Sequence, residues 1–475
     1  MKRFAFLFLL LNIYFVAYTQ KTPTEICQYG FTFEISTQKN WGYGQPVILS
    51  ITPNTSADAA GLRIYDIIEK INEMPTAGEN IETIITWLKN SSNQIQLTVS
   101  NLSGTQISRT LDKYCRKSNS LSEKDIASVY SFYSLENVQT RAFDCPFKTT
   151  VNPEFNLIQY ANFGFAVPDP DNLELEKKIN AIIQKSLEQK GLKYSEKNPD
   201  LIIQTQYYNE ANLNFRNNNN TDKLPVVCRY NLRTKSMDNL PIYYNPLINI
   251  NQAKFFLKLA IKLIDNKKRN NSVVWECEAN ELLQSDYSLA DYAEFHVPLM
   301  FMQYPYPKST EVAKFYYSRA KYNFTGINYN MDKIKEISEV IPSSPASKAG
   351  IKAGDIIENI NGIKFESNAK TADNKYRQFI FKTLQLRNPA TQFTNAEGFT
   401  RCMYWDERKY FLIQNEFNKP DFSTAFSYLF YFEPYINSSD MNIVNFSIKR
   451  GRQKQEIRII PVIVTEEIFM LTGDR

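Results

Sequence analysis

Two distant stretches of the chain repeat one pattern of small, apolar and polar positions. They run from Thr55 to Asn72 and from Ser344 to Asn361, and they align without gaps. In each, small residues lead to a Gly, and an Asp and two Ile follow. A Ser or Thr can cap the first turn of a short helix, and Gly suits the left-handed position that ends it. The pattern therefore predicts, twice, a short helix, a tight turn and a buried strand.

A few residues shape the turns of this repeat. They are, in chain order, Gly61, Asp66, Gly350, Gly354 and Asp355. The first copy has Tyr65 where the second has Gly354. Left-handed backbone favours Gly, so Tyr65 predicts a strained or altered turn in the first copy.

The run from Ser344 to Asp355, Ser-Pro-Ala followed by Ala-Gly and Gly-Asp, resembles the PDZ family in the form found in bacterial exported proteins. The resemblance implies that an extended peptide binds beside one strand by strand addition, with its terminal carboxylate on backbone N–H groups of a Gly-containing loop. The implied loop and strand residues are Tyr29, Gly30, Phe31 and Phe33 in the first module and Thr325, Gly326, Ile327 and Tyr329 in the second.

A helix should form the other wall of the first groove. Within residues 80–89, Ile81, Ile84, Ile85 and Leu88 recur at helical spacing. By the PDZ resemblance, Ile81 and Ile85 face the groove. Their apolar side chains favour apolar side chains on the peptide.

The second module is interrupted. After Phe365 the next strand pattern is Asn442–Ile448, followed by a return strand at Ile457–Val464. Residues 366–440 lie between, and an unstructured loop of that length inside a domain is uncommon. Either this stretch is an inserted subdomain, or it contains the groove helix in decorated form. An insertion at the groove wall could block or enlarge the peptide site.

The middle of the chain has its own order of elements. An amphipathic helix over 173–188 precedes a strand entered through Asn198-Pro199-Asp200, and a hairpin follows from strands 255–265 and 272–279. These elements predict an α+β sandwich. They resemble the bacterial domain-of-unknown-function family 4136 of envelope lipoproteins. That family brings no catalytic residues and implies an envelope location.

The N-terminus has the three parts of a secretory signal peptide. Lys2 and Arg3 precede the apolar run Phe4–Tyr14, and the small residues Ala17 and Thr19 follow. The apolar run is shorter than the roughly 20 residues of a membrane span, although an uncleaved anchor stays the alternative. We expect residues 1–19 to be cleaved and the mature protein to be exported, to the periplasm, the cell envelope or the extracellular space.

The expected fold is a multidomain α+β protein. Two PDZ-like, partly open β-barrels capped by helices flank a central α+β domain. The expected boundaries are a signal peptide at 1–19, a PDZ-like domain at 25–114, a linker at 115–152, the central domain at 153–308, a second PDZ-like domain at 320–466 with its insertion at about 366–440, and a C-terminal tail at 467–475.

The cysteines suit an exported protein, where disulfides persist. PDZ-like folds bring their ends together, so the resemblance implies a disulfide between Cys27 and Cys115. Cys228 and Cys277 fall in the central region and could pair too. The alternative is that these cysteines are unpaired buried thiols.

The net charge and the motifs that are missing argue against several classes of function. The net charge of +5 is too small to indicate nucleic-acid binding, and no Cys-x-x-Cys spacing indicates a metal site. The sequence contains no Gly-rich phosphate-binding loop, so we expect no cofactor. The single histidine, His296, lies in an apolar context typical of a core, and a zinc protease motif needs two. The sequence therefore predicts no enzyme.

Two hypotheses for the function follow. In the first, the protein is a non-catalytic adaptor or scaffold that binds extended or C-terminal peptides of a protein partner by strand addition. In the second, it is a structural envelope protein whose PDZ-like units pack internally. A cryptic protease with a Ser–Lys dyad is the least favoured alternative.

Overall fold

The computed structural model describes residues 25–102, 104–129, 138–216, 227–243, 250–267, 271–365, 369–391, 403–430 and 443–472. The predicted signal peptide at 1–19 lies outside the described residues. Among the described helices, none is both long enough and apolar enough to cross a bilayer. The described chain is a mixed α+β protein with several bodies built on open sheets.

The first module, residues 25–117, is an antiparallel sheet covered by a helix. Alternation sets the sheet's buried face: Ile95, Leu97 and Val99 point inward from β6, between polar neighbours. The main sheet has the order β2-β3-β4-β6-β7, with β5 beside β4. The elements are β1 Glu25–Gln28, β2 Phe31–Ile35, β3 Pro46–Ile51, α1 Ser56–Ala59, β4 Ile67–Ile71, β5 Met74–Pro75, α2 Ile81–Asn90, β6 Gln94–Ser100, β7 Gln106–Asp112 and β8 Tyr114–Lys117.

A disulfide closes the ends of the first module. β1 and β8 form a two-stranded ribbon whose register places Cys27 opposite Cys115, and these two residues are disulfide-bonded. The bond spans a sequence separation of 88 residues. A cross-link of that span typically stabilises a fold by about 4 kcal/mol, because it restricts the unfolded chain.

Residues 115–152, expected to be a linker, contain regular elements. These are the end of β8, then β9 (Ser120–Leu121), α3 (Glu123–Val129), β10 (Val138–Cys145) and β11 (Phe147–Val151). Ser122 and Asp125 cap α3 reciprocally, each backbone N–H donating to the other side chain at 3.1 Å. β9 and α3 are short and polar, so the sequence pattern did not indicate them. β10 and β11 alternate buried and exposed positions, but polar residues such as Arg141 and Thr149 lie on the buried face, which masked the alternation.

The central domain, residues 147–306, is a six-stranded sheet packed against two helices. Ile179, Ile183 and Leu187 form the buried face of α4 and contact the sheet core. The strand order is β11-β18-β17-β14-β12-β13, with β12 parallel to both neighbours. The remaining elements are β12 Asn162–Phe165, α4 Leu173–Gln189, β13 Lys193–Tyr194, β14 Leu201–Ala211, β15 Val227–Asn231, β16 Ser236–Leu240, β17 Phe255–Asp265, β18 Val273–Leu283 and α5 Leu289–Met300.

The predicted disulfide between Cys228 and Cys277 is absent. Cys277 has a free thiol buried in β18, and the Thr149 hydroxyl donates to its Sγ at 3.4 Å. Cys228 lies on β15, in the separate β15–β16 hairpin, and its Sγ donates to Asn239 Oδ1 at 2.8 Å. Pairing them would require one strand to leave its sheet.

A buried polar network lies beneath α5. The Arg229 guanidinium donates to Glu281 Oε1 at 2.5 Å and to His296 Nε2 at 2.9 Å. Since arginine can only donate, His296 Nε2 accepts, and its Nδ1–H donates to the Tyr292 carbonyl at 3.0 Å. His296 is therefore neutral. Burial, together with the Arg229 charge, lowers its pKa well below the ordinary 6.5.

This network predicts a loss of stability in mild acid. Below pH 6.5 the unfolded chain protonates His296, whereas the folded chain does not, so unfolding takes up a proton. Between pH 6.5 and pH 5, His296 should lower the free energy of unfolding by about 2 kcal/mol. The measurement is urea unfolding of wild type and His296→Gln over this range. The difference between the two slopes isolates His296, and parallel slopes would contradict its assignment as neutral.

The second module, residues 313–472, repeats the order of the first. Strand, strand, short helix, strand, strand and helix follow one another as β20, β21, α6, β22, β23 and α7, like β2 to α2. One sheet has the order β23-β22-β24-β25. The elements are β19 Ala313–Phe324, β20 Ile327–Asn330, β21 Ile337–Val340, α6 Pro345–Lys348, β22 Ile356–Ile360, β23 Ile363–Lys364, α7 Ala369–Thr383, α8 Tyr410–Phe417, β24 Val444–Arg450, β25 Gln453–Ile459 and β26 Val462–Thr472.

The expected insertion at 366–440 carries both the groove helix and further structure. By its position after β23, α7 corresponds to α2. The described residues beyond it include α8 and a 3₁₀ helix over Ala425–Phe430. Phe379, Phe417 and Tyr428 from these elements are buried in the core of the second module. The insertion is therefore an integral part of that module's core.

A three-stranded sheet joins the central domain to the second module. Its order is β10-β19-β26, and β26 pairs with β19 from Val462 to Thr472. The residues expected as a C-terminal tail, 467–475, therefore extend a strand as far as Thr472. The tail prediction was wrong because the partners of β26 lie about 150 residues earlier in the chain.

Candidate functional site

The two modules contain the same glycine loop. Gly30 and Gly326 precede β2 and β20 with φ of 94° and 90°. A Cβ on Gly30 would lie 2.0 Å from Thr55 Oγ1, and one on Gly326 would lie 2.2 Å from the Ser344 Cβ. Each loop therefore passes directly over the first residue of the repeated motif. Only glycine fits at this approach.

The motif aspartates hold the next turn in both modules. Asp66 accepts from the Arg63 backbone N–H at 2.9 Å, and Asp355 accepts from that of Lys352 at 2.8 Å. Burial raises the pKa of Asp66 to about 6. Asp355 instead accepts two hydrogen bonds from the Arg450 guanidinium at 2.7 Å. These aspartates shape turns, which is the role that the sequence pattern gave them.

Tyr65 takes the left-handed conformation of its glycine counterpart. Its φ is 73°, beside 85° for Gly354, and Gly61 and Gly350 have φ of 72° and 88°. Strain of this kind in a non-glycine residue needs compensation from its surroundings. The Tyr65 hydroxyl donates to the Met302 carbonyl of the central domain at 2.8 Å. The tyrosine therefore anchors the first module to its neighbour.

The first groove lies along the outer edge of β2. Among the described residues, β2 pairs only with β3, so its other edge is unpaired. Phe31 and Phe33 are half-buried against the module's core, and Thr32 is exposed. Gly30 and Tyr29 are buried. An edge strand of this kind offers backbone N–H and C=O groups to an added strand.

Helix α2 forms the facing wall of the first groove. Asn80 caps it by accepting from the Thr83 N–H at 2.8 Å. Ile84 is buried in the core, whereas Ile81 is 38% exposed and Ile85 is half-buried. The Tyr29 hydroxyl donates to the Leu88 carbonyl at 3.3 Å, linking the loop to this helix. Apolar side chains are thus available on both sides of the edge.

A cation lies beside the first loop. Lys113 Nζ is 5.9 Å from the centroid of the Tyr29 ring. It donates to the carbonyls of Lys89 and Ser91, which leaves its charge uncompensated by a carboxylate among the contacts described. This position suits an anionic group bound at the loop.

The chain itself occupies the second groove. β9 pairs antiparallel with β20, Leu121 opposite Tyr329 and Ser120 opposite Asn330. It lies on the side of β20 away from β21, giving the order β21-β20-β9. This is the position of an added peptide strand. We call residues 120–129, β9 and α3 together, the docked segment.

The second loop binds a carboxylate of the docked segment. Glu123 Oε2 accepts from the backbone N–H groups of Thr325 and Gly326 at 2.8 and 3.0 Å. Its Oε1 accepts from the Thr325 hydroxyl at 2.5 Å and from the Tyr428 hydroxyl at 2.6 Å. Glu123 is buried, and burial raises its pKa although the four donors oppose that shift. The loop thus binds a carboxyl group that is almost fully buried.

Aromatic side chains complete the second groove. The Tyr329 hydroxyl lies 2.8 Å from that of Tyr428, and the Tyr329 ring packs on Phe365 and Phe426 with centroids 6.1 and 5.4 Å apart. Ile327 and Tyr329 are fully buried. The four residues predicted for this groove are therefore covered.

Sequence reasoning missed Glu123, Tyr428 and Lys113. Glu123 lies 202 residues from Thr325 and Tyr428 lies 305 residues from Glu123, so no local pattern connects them. Lys113 directly precedes β8, and its approach to Tyr29 follows from the closing ribbon. The predicted Cys27–Cys115 bond was the one sequence signal that could have placed residues near 113 at the loop.

Two family models match the chain. One, described as a domain of unknown function (DUF4136), covers residues 147–306, and the other, described as a PDZ domain, covers residues 336–374. Both resemblances predicted from the sequence are thereby confirmed. The PDZ match lies in the second module. No curated protein matches the chain.

Solved structures are similar to the chain over different lengths. The crystal structure of a PDZ domain protein from Parabacteroides distasonis ATCC 8503 is 41% identical, with a TM-score of 0.83, and the match covers 94% of this chain and 100% of that one. The HtrA3 PDZ domain bound to a phage-derived ligand is 14% identical over 20% of this chain and 91% of that one, with a TM-score of 0.18. The PelC dodecamer from Paraburkholderia phytofirmans is 12% identical over 33% and 95%, with a TM-score of 0.18.

Proposed function

We propose a function from one premise: the chain belongs to the family of the PDZ domain protein from Parabacteroides distasonis. The protein is an exported, non-catalytic adaptor or scaffold of the bacterial envelope. It binds extended or C-terminal peptides of a protein partner by adding a strand to the edge of β2. Both end modules act in it as PDZ-like, partly open barrels capped by helices.

One observation carries this proposal. In the second module, the backbone N–H groups of Thr325 and Gly326 hold a carboxylate. The loop at Gly30 has a similar positive φ at its glycine, the same close approach to a motif residue, and the same irregularity in register two residues later. A loop built in the same way is expected to accept the same chemical group, which for a peptide ligand is its terminal carboxylate.

The side chains on the walls of the first groove indicate which peptide residues it should prefer. Phe31, Phe33, Ile81 and Ile85 offer apolar surface, so apolar side chains should be preferred near the peptide's end. Lys113 adds a positive charge beside the loop. This charge favours a carboxylate over a neutral amide at the same position.

Export and the absence of catalysis belong to the same proposal. The Cys27–Cys115 disulfide supports an oxidising compartment, where such bonds persist. His296 is fully buried and neutral, bonded to Arg229 on one side and to a backbone carbonyl on the other, which does not suit a general base.

The first module packs on the central domain, through Tyr65 and Glu34, but only the second module has its peptide groove filled by the chain. There the groove packs internally, because β9 and Glu123 occupy it. The first groove has no such occupant among the described residues. The peptide-binding hypothesis is therefore assigned to the groove of the first module, and the structural hypothesis to the groove of the second.

The test uses Ile81 and a matched control. Short peptides of random sequence with free C-termini, and the same peptides amidated, are screened for binding to the purified mature protein. Binding should require the free carboxylate. Ile81→Arg should weaken it by roughly tenfold or more by placing a charge in an apolar groove.

Ile64→Arg serves as the control, since Ile64 is 37% exposed, like Ile81, but lies on the turn before β4. It should leave binding unchanged. Carboxylate-independent binding, or equal loss in both variants, would count against the first groove. Gly30 is unsuitable for this test, because any side chain there strikes Thr55.

A further inference from the structure

We propose that the docked segment is a displaceable internal ligand and that the second groove is a closed peptide site. When the segment leaves, the second groove binds a peptide through its C-terminal carboxylate. This inference rests on the proposed function, since it assigns the same class of ligand to the second groove. It adds that binding of a peptide to the second groove depends on whether the docked segment occupies it.

The register of β9 places Glu123 at the end of a mimicked peptide. Antiparallel pairing puts Leu121 opposite Tyr329, and two residues on, Glu123 falls beside Ile327 at the start of β20. A bound peptide would end here, next to the loop. The Glu123 side chain turns into the loop and supplies the carboxylate, while the main chain continues into α3.

The donors at this loop suit a carboxylate from any source. All four that reach Glu123 are neutral: two backbone N–H groups and two hydroxyls. These donors can bind a carboxylate whichever side chain or chain terminus carries it. A free C-terminus presents two oxygens in the same way, so it can replace Glu123 at the same positions.

The docked segment contacts the second module at Glu123 and at several further points. β9 contributes two residues, and the Ser120 hydroxyl donates to Glu339 at 3.1 Å. Lys124 of α3 forms an ion pair with the partly buried Glu466 of β26. Ile126 and Ala127 are buried against the second module. Of these contacts, only Glu123 fills the glycine loop, so removing its carboxylate should loosen the hold of the segment on the groove.

The burial of Glu123 favours replacement of the docked segment by a peptide. Glu123 loses its hydration in the loop, and this loss raises its pKa despite four hydrogen bonds. The carboxyl group is thus held in the loop against a solvation cost. A peptide that adds strand contacts along β20 beyond the two residues of β9 has more contacts with which to offset the same cost.

The experiment uses the full mature protein with Ile81→Arg, so that the first groove does not contribute. Glu123→Ala is added to open the second groove, and Glu154→Ala, a change at an exposed glutamate outside both modules, is the control. Labelled random peptides with free C-termini, and their amidated forms, are titrated by fluorescence anisotropy. Glu123→Ala should bind the free-carboxylate peptides at least about tenfold more tightly than the control, and the amidated forms should not respond.

Hydrogen exchange keeps the test decisive if the binding change is small. Exchange of residues 120–129 should rise in Glu123→Ala while the central sheet stays protected. A folded Glu123→Ala protein with unchanged exchange in this segment, or with no gain in carboxylate-dependent binding, overturns the inference. The Ile81 test fails or succeeds separately, because it uses the Glu123 wild type and the first groove.

Discussion

Replacing Gly326 with alanine is expected to lower the free energy of unfolding by about 4 kcal/mol. The new Cβ would lie 2.2 Å from the Ser344 Cβ, so the loop or the start of α6 must move. The left-handed φ of 90° adds backbone strain. Because Thr325 and Gly326 bind Glu123 through their N–H groups, a shift of the loop also weakens that contact.

Gly354→Ala is a close control for this prediction. Gly354 has a φ of 85°, but no atom lies within 4 Å of its ideal Cβ position. It should lose only the strain component, about 1–2 kcal/mol. Thermal and urea unfolding of both variants measure the difference. Equal losses would mean that the close approach of Gly326 to Ser344 costs nothing to relieve.

Arg229→Met should destabilise the central domain by a similar amount, about 4 kcal/mol. The substitution leaves the Glu281 carboxylate buried, with the Tyr292 hydroxyl at 2.9 Å as its remaining described donor. It also removes the donor to His296 Nε2. An unpaired buried charge is far more costly than an exposed one. Urea unfolding followed by circular dichroism measures the loss.

Lys258→Met offers a matched comparison in the same sheet. Lys258 pairs with Glu278 at 2.6 Å, but both side chains are about a quarter exposed, so the loss should stay below about 1 kcal/mol. The double change Arg229→Met with Glu281→Leu should recover much of the stability, since no charge is left buried. If Arg229→Met costs no more than Lys258→Met, the buried network contributes little to stability.

Elements with strong local periodicity could be predicted from the sequence. The helix expected at 173–188 is Leu173–Gln189, and the strand expected at 255–265 has those bounds. The helix expected at 80–89 is Ile81–Asn90. In each case the apolar spacing, the cap and the turn residues lie within a few positions of one another. The repeated Gly-Asp motif belongs to the same class, because its geometry is local.

The occupant of the second groove could not be predicted in this way. Glu123 belongs to a short polar stretch with no periodicity, and its partners Thr325 and Tyr428 are hundreds of residues away. A carboxylate in such a stretch normally indicates solvent exposure. The role of the insertion could not be predicted for the same reason. Tyr428, which contacts Glu123, follows the groove helix in the chain. Long-range pairing, which local patterns do not encode, decided both features.

Strand β19 has a mechanical consequence. Phe315 and Tyr317 on its first half belong to the core of the central domain, whereas Ala320 and Tyr322 on its second half belong to the core of the second module. β10 and β26 pair along its two edges across this change of core. A continuous hydrogen-bonded ribbon resists bending far better than a single connecting chain. Bending the described chain between these two cores would thus require hydrogen bonds on both edges of β19 to break.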